Sequence, residues 1–393
     1  MPGVISRGIR APMIREGDDI VQLVADSVEA AMRDDGFALR ERDVVCVTES
    51  VVARADGNYC TVDDIAADVR QKLGGETVGV IFPILSRNRF AICLRGIARG
   101  AKKIVLMLSY PSDEVGNHLI SEDALLDSGV QPYSEVLSLE RYRALFGYEV
   151  HPFTGVDYIQ YYENIVREEG ADCEIIFSNR PEAILDYTKK VLCCDIHSRE
   201  LSARRVKTAG GETVLTMCDI LSESVNGSGF SPFGLLGSNK ATEEKIKLFP
   251  RNAQETAEKI QAELLKRTGV KVEAMVYGDG AFKDPVGKIW ELADPMVGAG
   301  WTEGLNGLPN ELKIKYLEDN DFADLSGEAL TNAVRAAIAA KSGDLKGQMA
   351  SEGTTPRRLT DLLGSLADLT SGSGDKGTPI VLVQNYFSNY AEQ

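Results

Sequence analysis

Ala274-Met275-Val276-Tyr277-Gly278-Asp279-Gly280-Ala281-Phe282-Lys283-Asp284-Pro285 is the junction from which the fold is read. Its first four residues are an apolar run, which predicts a short buried strand. That strand opens directly into Gly278-Asp279-Gly280. A carboxylate at a strand end, with a glycine on either side, sits where backbone can approach a ligand closely. Upstream lies a second turn, Gly234-Leu235-Leu236-Gly237-Ser238-Asn239. A helix predicted over Ala253–Thr268 separates the two turns, with Ala253, Ala257, Ile260 and Leu264 on one face. Loop, helix, strand and acidic turn in that order allow Asn239 and Asp279 to share one site. Two unrelated surface turns are the alternative.

The chain has 393 residues, more than one ordinary core accommodates, which predicts two or three domains or subdomains. Its 44% hydrophobic and 26% charged content is that of a soluble globular protein. The net charge of −16 leaves no basic face for nucleic acid. The same charge repels a phosphorylated substrate unless a metal or a local Arg/Lys cluster reverses the sign. The seven cysteines include no Cys-x-x-Cys pair, so reduced thiols are expected in place of a disulfide framework or zinc site. His118, His151 and His197 show no metal-ligand spacing. Without a signal peptide pattern or a membrane-length apolar run, a cytoplasmic location is expected.

Outward from the junction, 1–75 and 205–393 are expected to form one discontinuous unit, and 76–204 an inserted α/β subdomain. In the first unit, Val4–Ile9 and Val44–Thr48 read as strands. Gly17-Asp18-Asp19 opens a helix that stops at Asp35-Gly36. In the insert, strand Val78–Ile84, helix Asn88–Gly100 and strand Lys103–Ser109 form a βαβ pattern, predicting parallel neighbouring strands. A second unit follows through Asp157–Gly170, Cys173–Ser178, Pro181–Lys190 and Val191–Ile196. Neither carries a glycine-rich phosphate fingerprint. The polar loop Tyr110–Asn117 follows a strand end, where ligands often bind, although a plain turn explains it too. Arg204–Thr208 and Glu212–Met217 suggest a hairpin across Gly210-Gly211. Helices are predicted near Glu328–Lys341 and Pro356–Thr370, then a glycine-rich loop, Ser371–Gly377, and a strand, Pro379–Gln384. Such a loop offers free N–H groups, or serves as a flexible connector.

These pieces together resemble the CofE-type γ-glutamyl ligases, which add glutamate to a deazaflavin coenzyme precursor using GTP and divalent metal. That family opens with Leu-Pro-Leu-Ile, a Gly-Asp-Asp helix, and a strand running into Val-x-Ser-Lys-Ala-Glu-Gly. The counterparts here are Ala11-Pro12-Met13-Ile14, Gly17-Asp18-Asp19, Glu49-Ser50 and Val51-Val52-Ala53-Arg54-Ala55-Asp56-Gly57. Its Gly-Ile-Asp-x-Ser-Asn corresponds to Gly234–Asn239, its strand-end Asp-Thr to Asp279-Gly280, and its late glycine-rich loop to Gly372–Gly377. The resemblance covers roughly 1–75 and 205–393, while 76–204 is larger than the family's usual segment.

The resemblance implies a mixed α/β fold that dimerises, with the nucleotide near the interface. It implies nucleotide contacts at Pro12, Met13, Ile14, Glu49, Ser50, Arg54 and Asn239, and at Gly372, Ser373, Gly374 and Lys376 of the late loop. It places Mg²⁺ or Mn²⁺ at Asp279 and gives Asp279 and Arg54 catalytic roles. The departures are specific. The family's first metal-binding Asp falls on Leu236, its metal-binding Thr on Gly280, its late acidic ligand on Ser373, and its nucleotide-contacting Lys on Arg54. Leucine ligates no cation, and arginine keeps the charge with a different geometry. One carboxylate with substrate phosphates and water can still hold Mg²⁺. Asp113, Asp219, Glu223, Asp284 and Glu352 stand as replacement ligands.

A carboxylate–amine ligase converts a carboxylate into an acyl species bearing a leaving group, using GTP or ATP, before an amine attacks. Arg54 and Lys376 suit the neutralisation of phosphate charge that this requires. The expected function is therefore an NTP-dependent ligase acting on small molecules, with 76–204 shaping an acceptor site. A non-catalytic nucleotide- or metabolite-binding protein with a decayed metal site is the second reading, favoured by Leu236, Gly280 and Ser373. A nucleotide-cofactor oxidoreductase centred on 76–204 is the third, and it lacks the expected G-x-G-x-x-G.

Overall fold

The computed structural model describes residues 3–280, 283, 288–290, 292–351, 357–371 and 374–392. Their strands are, in chain order, β1 (Ile5–Ile9), β2 (Val44–Thr48), β3 (Tyr59–Thr61), β4 (Thr77–Ile81), β5 (Lys103–Leu108), β6 (Leu137–Ser138), β7 (Asp172–Phe177), β8 (Lys190–Cys193), β9 (Thr213–Thr216), β10 (Asn239–Lys240), β11 (Lys245–Lys247), β12 (Glu273–Tyr277), β13 (Gly298–Trp301) and β14 (Ile380–Gln384). They build three sheets joined by helices, a mixed α/β fold.

The first sheet runs β1-β14-β2-β12-β13. β2 and β12 pair in parallel, Val44 opposite Glu273 through Thr48 opposite Tyr277. The other pairings are antiparallel. All five residues of β12 are buried, as the apolar run at 274–277 predicts. The helix Ile20–Asp35 begins at Asp19, whose carboxylate accepts from the N–H groups of Val21 and Gln22, and ends at left-handed Gly36. It packs with the helix Ala253–Thr268 against this sheet, joining Val24, Val28, Ile260 and Leu264 to Val45, Val47 and Val276 in one core. The other face is covered by the helix Leu359–Ser371, through Leu363 and Ala367.

The second sheet, β10-β11-β3, is small and antiparallel. The third runs β6-β7-β5-β4-β8-β9. Its five longer strands are parallel, and β6 is an antiparallel edge. The predicted neighbours β4 and β5 lie side by side in parallel, Thr77 opposite Lys103.

The segment Arg204–Met217 is not a hairpin. Arg199–Thr208 is a helix and Thr213–Thr216 is β9, parallel to β8. Ser202, Ala203 and Val206 are buried at helical spacing, and that packing overrides the turn signal of Gly210-Gly211. The six-stranded sheet therefore extends to Thr216, past the expected boundary at 204.

The helix Phe90–Arg99 follows β4 and is buried almost all round. It lies against the helix Val62–Leu73 so closely that a Cβ at Gly96 would stand 2.5 Å from the Ile65 Cβ, and one at Gly100 2.8 Å from the Ala66 carbonyl oxygen. Only glycine permits this spacing. The contact ties the third sheet to the rest of the chain and fixes the loop just before Phe90, which carries Arg89.

Candidate functional site

The turn Gly278–Gly280 leaves the end of β12, between β2 and β13. Its N–H groups are engaged within the protein. Asp279 N–H donates to Asp294 Oδ2 at 2.9 Å, and Gly280 N–H donates to Asp368 Oδ2 at 2.9 Å. Asp368 lies on the helix Leu359–Ser371, so the acidic turn is braced by the helix that leads into the 371–377 loop.

Sequence reading missed the partner of Asp279. Arg89 Nη2 donates to Asp279 Oδ2 at 2.8 Å, and Arg89 Nη1 to Asp294 Oδ1 at 2.6 Å. The Asp294 side chain is 1% exposed, and those of Arg89 and Asp279 are 16% and 17% exposed. Burial alone disfavours the charge on Arg89, but Asp294 and Asp279 more than offset it and hold the guanidinium firmly protonated. Burial pushes the Asp368 carboxyl above its ordinary pKa, making it a weaker acid.

Beside this cluster is a second buried pair. Lys247 on β11 meets Glu49 at 3.1 and 3.0 Å, and its Nζ also reaches Ser50 Oγ at 2.9 Å. Burial pushes the Glu49 carboxyl up, Lys247 pulls it back, and Asp294 raises it again. The field of Asp294 at Glu49 links the two clusters. Glu49 and Ser50 start the helix Glu49–Ala55 at the end of β2, next to β12 in the sheet. Lys247 is the cross-strand partner of Asn239. The end of the parallel β2–β12 pair thus brings Glu49, Ser50, Asn239 and Asp279 to one region.

The other predicted positions are distributed around it. Arg54 is exposed on the last turn of the helix Glu49–Ala55, one turn beyond Ser50. Met13 is 89% exposed and Pro12 is exposed, whereas the Ile14 side chain packs into the core beside Ile20. Gly374 and Lys376 are exposed, and Ala11 N–H donates to the Gly377 carbonyl, which joins the loop to the Pro12 segment. Gly372 and Ser373 lie outside the described residues.

Among the described residues, the positions of the family's metal ligands do not fit a divalent metal. Leu236 is 3% exposed and belongs to the apolar core. Gly280 has no side chain, and Asp279 is turned to a guanidinium. Among the described residues, no three His, Cys, Asp or Glu form a group that could hold a metal ion. Of the replacement ligands, Asp113 binds the N–H groups of Leu85, Val115 and Asn117, and Asp219 caps Thr216. Glu223 is exposed, and Asp284 and Glu352 lie outside the described residues.

Two signals in the sequence point to the missed residues. Arg89 stands just before the helix Phe90–Arg99, where the helix dipole disfavours a cation, so a carboxylate partner is required. Lys247 sits in the apolar run Ile246-Lys247-Leu248-Phe249, where a buried ammonium likewise demands a carboxylate.

The family model described as F420-0:Gamma-glutamyl ligase matches residues 8–385, nearly the whole chain. The protein belongs to this family. No curated protein matches the chain. Among the described residues no helix is long and apolar enough to cross a membrane.

Proposed function

We propose that the protein is an NTP-dependent ligase that joins an amino acid to a small carboxylate acceptor. The acceptor oxygen attacks the γ-phosphorus of GTP or ATP and nucleoside diphosphate leaves. The amine then attacks the acyl carbon, phosphate leaves, and the amide nitrogen loses a proton. The protein's task in both steps is to position charge.

The observation that supports this reading best is Arg89. By resemblance, Asp279 is where this family holds a cation, and here a guanidinium occupies that carboxylate. The guanidinium takes the cation's place beside Asp279 without a metal, its fork spent on the Asp279 and Asp294 carboxylates, which it fixes in position. Exposed Arg54 and Lys376 are assigned to the nucleotide phosphates, with Glu49 and Ser50 at the start of the helix that carries Arg54. No described residue is assigned to Mg²⁺ or Mn²⁺. A homodimer with the nucleotide near its interface is carried over from the family resemblance.

GTP or ATP at about 100 times its dissociation constant is expected to add about 2.7 kcal/mol to stability. Arg54→Met and Lys376→Met, at exposed positions, should keep the parent melting temperature and lose most of that increment. A melting temperature indifferent to both nucleotides counts against the proposal.

One observation favours the non-catalytic reading. The N–H groups of Asp279 and Gly280, which a phosphate would seek, are taken by Asp294 and Asp368. That reading expects nucleotide binding without release of diphosphate.

A further inference from the structure

The third sheet carries a feature that the ligase reading does not use. From β4 the chain winds through β5 and β7 on one side, then returns to place β8 and β9 on the other. The winding reverses between β4 and β8. In open α/β sheets, ligands bind outside the carboxyl ends of the strands at such a reversal. Here the segments following β4, β5, β7 and β8 enclose a cavity of about 630 Å³. That volume lies within the range of small-molecule sites.

Most polar groups around it are already satisfied. Asp113 accepts from three backbone N–H groups. Asn179 is spent on the backbone of Tyr110. Arg205 pairs with Glu182. Two lining groups are left over. Asp195 is 2% exposed, and its Oδ2 accepts from Ser202 Oγ at 2.7 Å while its Oδ1 has no partner. Arg180 Nε is buried without a partner, and no carboxylate pairs with this guanidinium among the described residues. An orphaned buried carboxylate oxygen and an unpaired guanidinium on one cavity are costly unless a ligand completes them.

The same cavity argues against a nucleotide. In dinucleotide-binding folds the phosphate rests on a helix N-terminus. Here the N–H groups of Ile196, His197 and Ser198, at the start of the helix Arg199–Thr208, are held by the Glu114 carboxylate. A protein anion fills the phosphate's place, and no glycine-rich turn follows β4.

We propose that this cavity binds a small zwitterion, an amino acid or dipeptide, with its carboxylate on Arg180 and its ammonium on Asp195. Phe82 and Tyr133, which also line it, offer apolar surface to the side chain. The cavity would hold such a ligand whether or not the protein is a ligase. It assigns 76–204 a ligand distinct from the cluster around Asp279.

The test uses the full chain, with no nucleotide present. The proteinogenic amino acids and a set of dipeptides are screened by thermal shift, and those that bind are measured by calorimetry. At least one should bind, and its methyl ester and its N-acetyl derivative should each bind at least about tenfold more weakly. Arg180→Gln should weaken the free zwitterion by a similar factor but leave binding of the methyl ester little changed. Because Asp195→Asn places an amide in a buried site, Ser202→Ala is the companion variant, expected to fold and to alter affinity through the Asp195 carboxylate. Failure of every amino acid and dipeptide to bind overturns the proposal. So does equal binding of the ester, unchanged affinity in Arg180→Gln, or binding of ATP, GTP or NAD at this cavity in their place.

Discussion

Arg89 and Asp279 lie 190 residues apart in the chain and meet at 2.8 Å. Arg89 enters from the loop between β4 and the buried helix Phe90–Arg99, and Asp279 from the end of β12. The pair therefore ties the segment shared with the third sheet to the first sheet, at the position where the family's sequence pattern calls for a cation. With Asp294 on the other side, the guanidinium bridges two carboxylates that would otherwise repel.

Removing the bridge should leave both carboxylates without compensation. Arg89→Met is expected to destabilise the fold by about 3 kcal/mol, measured by urea unfolding, since breaking a buried pair strands its partner. Asp279→Asn should be milder, because Arg89 keeps Asp294. The reverse ranking would show that Asp279 owes its place to other contacts.

Lys247→Met removes the main influence that holds the Glu49 carboxyl down, and burial then raises it further. A carboxyl raised in the folded state contributes stability below its unfolded value and loses it as pH rises through the folded value. The stability gap between parent and Lys247→Met should therefore widen from pH 5 to pH 8. Urea midpoints at the two pH values measure it, and a constant gap would contradict the account.

Gly96→Leu should separate the helices Val62–Leu73 and Phe90–Arg99, because even a Cβ there meets Ile65 at 2.5 Å. The expected loss is at least about 1–3 kcal/mol. It should also disturb Arg89 and weaken nucleotide binding, whereas Gly343→Ala, with open space around its Cβ position and no left-handed backbone, should leave nucleotide affinity intact.

Burial pushes the Asp195 carboxyl up to about 7, with Ser202 pulling it down and Glu114 raising it again. Between the usual aspartate range and that value, the folded protein holds a proton that the unfolded chain releases, so stability falls as pH rises through this window. Asp195→Asn carries no such proton. Its stability relative to the parent should rise between pH 4 and pH 7, as followed by thermal melting in matched buffers. A difference independent of pH would mean that Asp195 ionises normally.

How much of this the sequence discloses depends on the range of the interaction. β2, β12 and β14, and the helices Ile20–Asp35 and Ala253–Thr268, follow from apolar runs, spacing and end signals, because local pattern and tertiary packing agree there. The strand-end position of Asp279 follows from the same reasoning. The hairpin expected at Arg204–Met217 fails because a glycine pair marks the end of a helix as readily as a hairpin turn, and only the partner strand β8 decides. The Arg89 and Lys247 pairings are invisible to local pattern, since each joins elements far apart in the chain. What the sequence does display is the anomaly each pairing resolves, a cation at a helix start and a lysine in an apolar run.

We propose that this family member makes an amide with Arg89 standing where a metal would be expected. The most direct measurement incubates the protein with GTP or ATP, glutamate and a panel of small carboxylate acceptors, with metal content controlled, and follows product by mass spectrometry and nucleoside diphosphate by chromatography. The account predicts an acceptor whose mass rises by one glutamyl unit, one diphosphate released per bond, and loss of that product in Arg89→Lys under conditions where the variant remains folded. Nucleotide bound but never cleaved with any acceptor, or turnover unchanged in Arg89→Lys, would contradict it.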